Sequence, residues 1–160
     1  MRINVGSQAS VTASEKWLTY IQAGQAFAGT FLNPGLAGNF SIVQLFNPVA
    51  SGKTVLVRRV VASLGATSQM LIAIFNTALT TDQGAAQNLL VGGAASVAHI
   101  RSVQQAGQVG TSITTLDLNV GSPQYLGPDW LCQLPAGTGI VVQAGAVAIE
   151  VGAGFYWAEF

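Results

Sequence analysis

The chain has 160 residues, half of them hydrophobic, and its six basic and six acidic side chains leave no formal net charge. A neutral chain with six cations lacks the basic surface on which nucleic-acid affinity depends, and its high apolar content argues against disorder. Charged residues make up only 8% of it, where a soluble domain carries about 25%, so its surface is expected to be covered by other protein or kept soluble by Gln, Asn, Ser and Thr.

Residues 1–37 are predicted to form an N-terminal arm, either partly helical or extended. Ser14 is suited to cap a short helix that begins at Glu15. Apolar residues follow at roughly helical spacing, whereas Gly24 and Gly29 weaken the helix and favour an extended arm. The apolar face comprises Trp17, Tyr20, Ile21 and Phe27. The sequence before Ser14 has no continuous apolar run, so no secretory signal is expected.

The aromatic side chains of this arm are candidate subunit-interface residues. They are Trp17, Tyr20, Phe27 and Phe31. In a monomer the arm would fold back on its own domain, whereas in an oligomer it would pack on a neighbour and protect sheet edges. Exchange between subunits is the preferred interpretation. The turn residues Asn33 to Gly38 separate the arm from the rest of the chain.

Three strands are predicted after this turn, at Phe40–Phe46, Lys53–Ser63 and Gln69–Asn76. In the second strand Arg58 and Arg59 fall on opposite faces, so neither face is expected to be wholly buried. The third strand is apolar on both faces, which predicts that it is covered by the core on one side and by a partner or the arm on the other.

Weaker strand signals continue from residue 77 to the C-terminus. Thr80–Gly84 is predicted to be a loop, and Gly152–Gly154 a turn. The candidate strands are Asn88–Val91, Ser96–Val103, Ser112–Leu118, Gln124–Leu126, Trp130–Leu134, Gly139–Ala144, Ala146–Val151 and Phe155–Glu159. Short strands with regular turn signals indicate an all-β fold, an antiparallel sandwich or barrel, over residues 38–160. A membrane-spanning helix needs about 20 apolar residues, so none is expected.

Catalytic and metal-binding motifs are not found in this sequence. Gly52–Thr54 resembles the end of a phosphate-binding loop, but position 47 is Asn47 and a strand follows, so nucleotide binding is not expected. His99 has no nucleophile motif near it, and Cys132 among apolar residues is predicted to be a buried thiol. No enzyme activity, cofactor or metal site is therefore expected.

Three arginines are the informative charges, at positions 58, 59 and 101. One interpretation pairs them with acidic residues on neighbouring strands, which are Asp117, Glu150 and Glu159. The other makes Arg58, Arg59 and Arg101 anchors of an intersubunit contact, where Arg is enriched. Both interpretations are equally compatible with the sequence.

Two parts of the chain resemble small β-sandwich virion proteins of tailed bacteriophages. Ser41–Val55 matches their Q-L-x-N-P-x-x-S-G strand–turn–strand, and Leu134–Gln143 followed by Phe155–Glu159 is similar to their C-terminal half. The resemblance covers roughly residues 40–62 and 129–160. It implies a jelly-roll-like domain in a virion, often a homotrimer.

The resemblance implies a function in assembly rather than catalysis. The first expectation is a capsid decoration (cement) protein that bridges major capsid protein subunits, assembled in the host cytoplasm, without nucleic-acid or membrane partners. The alternative is a tail, baseplate or fibre component, including a receptor- or glycan-binding sandwich. Tyr125 and Trp130 are the aromatic candidates for glycan contact.

Overall fold

A computed structural model of the chain describes residues 15–121, 123–126 and 131–160. A short N-terminal helix is followed by two antiparallel sheets that pack face to face, so the predicted all-β sandwich is confirmed. The cap expected at Ser14 and the strand start expected at Trp130 lie outside the described residues.

The helix, α1, covers residues 15–22, and strands β1 to β12 follow in chain order. Their bounds are β1 Ala26–Asn33, β2 Phe40–Asn47, β3 Val55–Leu64, β4 Ser68–Ile74, β5 Thr81–Ala85, β6 Gln87–Asn88, β7 His99–Gln105, β8 Thr111–Leu118, β9 Gln124–Leu126, β10 Cys132–Leu134, β11 Thr138–Ala144 and β12 Val151–Glu159. The first sheet has the order β10-β3-β12-β1-β6, with β9 also paired to β3, and the second has the order β5-β7-β2-β11-β4-β8.

The main core lies between the two sheets, where alternate side chains of the long strands meet. Phe155 and Trp157 of β12 are fully buried, and Phe27 of β1 stacks on Trp157 with ring centroids 6.1 Å apart. Burying one such side chain contributes about 1.5–3 kcal/mol. The aromatic residues of β1 and β12 therefore hold the centre of the first sheet to the core.

Strand β1 is the main difference from the sequence prediction, which placed residues 26–33 in an arm. It pairs with β12 over its whole length, from Ala26 opposite Ala158 to Asn33 opposite Val151. The Asn33 side chain also donates hydrogen bonds to the carbonyls of Ile42 and Val103 in the second sheet, at 3.0 and 2.8 Å. The sandwich in this structure consequently begins at Ala26 rather than at residue 38.

A predicted loop and a predicted turn are strands, and two predicted strands are mostly loop, since only Asn88 of the strand predicted at Asn88–Val91 lies in β6. Thr81–Ala85 pairs with β7 as an edge strand of the second sheet, although a loop was predicted there. The turn predicted at 152–154 is wrong, because Gly152 and Gly154 pair with β1 on one side and β3 on the other. Residues 146–150, predicted as strand, form the loop between β11 and β12.

The outer face of the second sheet carries a smaller apolar cluster that the chain covers by itself. Its buried members are Ile42, Ala73, Leu79 and Val141. Phe75, Leu79 and Val109 come from segments that cross over the sheet. The prediction that β4 is apolar on both faces is confirmed, and the cover of its second face includes intrachain segments.

Two buried glutamines fasten these crossing segments. Gln44 donates to the carbonyls of Phe75 and Thr77 at 3.2 and 3.0 Å, and its oxygen accepts the Leu79 amide at 2.9 Å. Gln143 exchanges two hydrogen bonds with the backbone of Val109, at 3.0 and 2.8 Å. The Gln44 oxygen thereby satisfies the buried amide of Leu79, and both glutamines hold backbone groups of segments that are distant in the chain.

Candidate interaction surface on the first sheet

The two arginines of β3 project from the same side of the first sheet. The register between β3 and β12 shifts so that Tyr156 pairs with Arg59 and Trp157 with Val57, which leaves Arg58 as an extra residue. Such a β-bulge re-aims the side chains around it. Arg58 and Arg59 consequently line one cavity of about 210 Å³ with Trp17 and Tyr156. The prediction that the arginines lie on opposite faces is therefore wrong.

Helix α1 lies against this surface through its aromatic side chains. The Arg58 guanidinium lies 4.7 Å from the centre of a Trp17 ring, which is a cation–π contact. The Tyr20 ring meets the ring of Phe160 edge-on, with centroids 4.9 Å apart. The helix ends where Gly24 takes a φ of +68°, a left-handed conformation that suits glycine at a helix C-terminus.

Tyr125 completes a surface that we call the aromatic–arginine patch, defined by Trp17, Tyr20, Arg58, Arg59 and Tyr125. The Arg59 guanidinium lies 5.9 Å from the Tyr125 ring centre, and Tyr125 is 67% exposed. Three of the seven predicted interface residues, Trp17, Arg58 and Arg59, thus line one cavity on this sheet face, and Tyr20 lies one turn further along α1. Their convergence depends on the bulge in β3 and on the pairing of β9 with β3, which are tertiary features.

Phe27 and Phe31 have intrachain roles in this structure. Phe27 is 3% exposed within the main core, and Phe31 is half-buried and packs against the same core. Both lie on β1, four residues apart, so both side chains are on the inward side of the strand. They therefore follow the alternative in which this part of the chain folds on its own domain.

Arg101, the seventh predicted residue, lies apart from the patch on β7 of the second sheet. Its Nη1 is 3.1 Å from Asp82 Oδ2, and its Nε donates to the Leu79 carbonyl at 2.6 Å. The sequence-based pairing with Asp117, Glu150 or Glu159 is wrong for Arg101. The partner Asp82 was missed because its segment was predicted to be a loop rather than the strand beside β7.

Asp82 also binds His99, whose Nδ1 lies 2.7 Å from Asp82 Oδ2. Partial desolvation acts to raise the pKa of Asp82, but three favourable contacts outweigh it. They are a hydrogen bond from the Gly84 amide, the bond with His99, and the positive charges of His99 and Arg101. The pKa of Asp82 therefore lies below its ordinary value of 3.8.

Glu159, at the end of β12, is a buried carboxylate whose role the sequence did not reveal. It is 3% exposed and accepts hydrogen bonds from Ser96 Oγ at 2.5 Å and from Trp157 Nε1 at 3.0 Å. It also accepts the amides of Val97 and Ala98. Glu159 therefore fastens the segment before β7 to the first sheet. The hydrogen bonds of Glu159 thus have a structural role, because they hold neighbouring segments together.

The other chemistry-bearing side chains are dispersed. Cys132 lies on β10, in the sheet opposite His99, and burial raises the pKa of its thiol to about 11. Within residues 15–121, 123–126 and 131–160, no group of three His, Cys, Asp or Glu side chains is arranged to hold a metal ion. In the same residues no helix has the length and apolar character needed to cross a membrane.

Comparisons of the chain with protein-family models, curated protein sequences and solved structures produced no match. The functional interpretation therefore depends on the surface chemistry of the sandwich and on the resemblance of residues 40–62 and 129–160 to phage virion proteins.

Proposed function

We propose that this protein is a non-enzymatic structural subunit of a bacteriophage virion, a homotrimeric decoration protein that bridges and stabilises major capsid protein subunits. The proposal starts from the phage-like segments around Ser41–Val55 and at the C-terminus. The β-sandwich that those segments imply is the fold of the chain, although the same fold serves many functions.

The observation that carries the proposal is the apolar character of the exposed surface. Among the described residues, eleven large hydrophobic side chains are prominently exposed. They are Leu18, Leu32, Leu36, Val49, Leu90, Val91, Ile113, Val120, Tyr125, Val147 and Phe160. Between described residues, the ion pairs are the two that Asp82 forms, with His99 and Arg101. A surface so poor in charge is protected from unspecific association when neighbouring subunits cover it.

The oligomeric mass in solution and on particles tests this proposal. Light scattering of the purified protein should give three times the chain mass at about 0.1 M salt and again at about 1 M salt, because apolar burial is not screened as surface charge is. A monomer at both salt concentrations would contradict the proposed trimer. Dissociation at the higher salt would contradict the apolar contact.

The alternative is a tail, baseplate or fibre component, including one that contacts a receptor or glycan. Counting copies in purified particles separates the two assignments. Regular coverage of the capsid lattice supports decoration, whereas a few copies at one vertex support a tail component. Labelling an exposed site such as Val91, after substitution with Cys, would localise the subunit by electron microscopy.

A further inference from the structure

A groove of about 370 Å³ crosses the outer face of the first sheet beside the aromatic–arginine patch. Its size falls within the roughly 300–1,000 Å³ typical of ligand sites. Gly152 and Gly154 of β12 form its floor, and neighbouring strands supply its walls. The hydroxyl-bearing side chains that line it are Thr30, Ser63, Tyr125 and Tyr156.

The glycines keep the floor of this groove open. A Cβ at position 152 would lie 2.6 Å from Ser63 Oγ, and one at position 154 would lie 3.1 Å from Thr30 Cγ2. The backbone of β12 is paired on both sides, with β1 and β3. An extended peptide therefore finds no free sheet edge at the floor, and recognition must come from side chains.

Four hydroxyl groups face this space without being used by the fold. They belong to Thr30, Ser63, Tyr125 and Tyr156. None of them bonds to another residue within the described part of the chain. Their hydrogen-bonding capacity is therefore available to a ligand. The exposed ring of Tyr125 adds an apolar face on which a flat group can pack.

Arg59 supplies a positive charge at the end of the groove. It shares the adjoining cavity with Tyr156, and its guanidinium lies over the Tyr125 ring. It forms no ion pair with any acidic residue in the described ranges. No Asp or Glu lines the groove. A guanidinium in this position matches a carboxylate, which it can bind through two parallel hydrogen bonds.

We propose that this groove binds an acidic saccharide. The apolar face of the sugar ring packs on Tyr125, the sugar hydroxyls bond to Thr30 and Ser63, and the carboxylate pairs with Arg59. A saccharide combines these three requirements in one molecule: a ring with an apolar face, several hydroxyls and one negative charge. This inference goes beyond the proposed assembly role and stands or falls independently of it.

Calorimetric titration of the full chain with acidic oligosaccharides tests the proposal. The probes are tetragalacturonic acid, a hyaluronan tetrasaccharide and sialyllactose, each compared with its neutral methyl ester. At least one acid should bind saturably, and esterification should weaken it about tenfold or more, the loss expected for one charge-assisted hydrogen bond. If no acid binds, or if acid and ester bind equally, the proposal is wrong.

Matched variants assign the binding to the groove. Arg59→Gln should weaken acid binding about tenfold, whereas Lys53→Gln, which removes an exposed cation near the start of β3, should not. Tyr125→Ala should abolish measurable binding, whereas Val91→Ala should leave it intact. The amide NMR signals of Gly152 and Gly154 should shift on titration in the wild-type protein. Binding that survives both groove substitutions would overturn the assignment.

Discussion

Replacing Gln44 with Leu tests whether the chain itself covers the outer face of its second sheet. Gln44 is fully buried, and its amide makes three hydrogen bonds to residues 75–79. Gly139 provides the space for this amide, because a Cβ there would lie 2.7 Å from Gln44 Nε2. Leu has nearly the same size but cannot bond to any of the three backbone groups.

The expected cost follows from those three bonds. Each contributes about 0.5–1.5 kcal/mol net, and the buried Leu79 amide left without a partner carries a penalty of about 1–3 kcal/mol. Part of this is offset because Leu buries more apolar surface and because the carbonyls of Phe75 and Thr77 can reach water. We expect a loss of about 2–4 kcal/mol, or about 4–16 °C in melting temperature for a domain of this size.

Two measurements check this prediction. Urea denaturation gives the free energy of unfolding of Gln44→Leu, and Gln69→Leu serves as control because Gln69 is exposed on β4 and changes stability by at most about 0.5 kcal/mol. Hydrogen exchange of the Leu79 amide reports on the segment itself and should accelerate in the Gln44 variant. Wild-type stability together with slow Leu79 exchange would refute the reasoning.

Three further outcomes are expected. Deleting residues 1–24 should leave a folded sandwich by circular dichroism, whereas deleting 1–37 should abolish cooperative melting, because it removes β1; a cooperative fold without β1 would contradict the pairing with β12. Asp82→Asn should lower stability at neutral pH, and in urea titrations its deficit should shrink as pH falls below 3.8, since the depressed pKa of Asp82 stabilises the fold only while it is ionised. A deficit unchanged at low pH would rule out this linkage. Cys132 should be alkylated at pH 8 far more slowly in the native than in the unfolded protein, because its thiol pKa is about 11; equal rates would show an accessible thiolate.

The strands with clear alternation were predictable from local pattern. The sequence placed β2, β3 and β4 within about two residues of their observed bounds, and it identified the two apolar faces of β4. Strand β1 was not predictable, since its small residues, Gly29 among them, carry no clear alternation between apolar and polar side chains. Its identity depends on the neighbouring β12, whose pairing fixes every residue from Ala26 to Asn33.

The candidate surface was predictable only in its components. The sequence identifies residue types suited to contacts, which are Trp17, Tyr20, Arg58 and Arg59. The bulge in β3 is what places both arginines on the face that Trp17 contacts. The one available signal was that Val57 and Val60, three residues apart, are both apolar, which leaves two successive residues between inward positions. Gly152 and Gly154 were interpreted as a turn because glycine is common there.

The sequence by itself determined the class of fold and the character of the surface. Period-two alternation bounded by Gly, Pro and Asn specifies strands, and 8% charged residues cannot cover a large surface with charge. Only the tertiary structure decided what covers the second sheet and which side chains share a face. Those outcomes depend on long-range strand pairing and on hydrogen bonds such as that between Gln44 and Leu79, whose partners are distant in the chain.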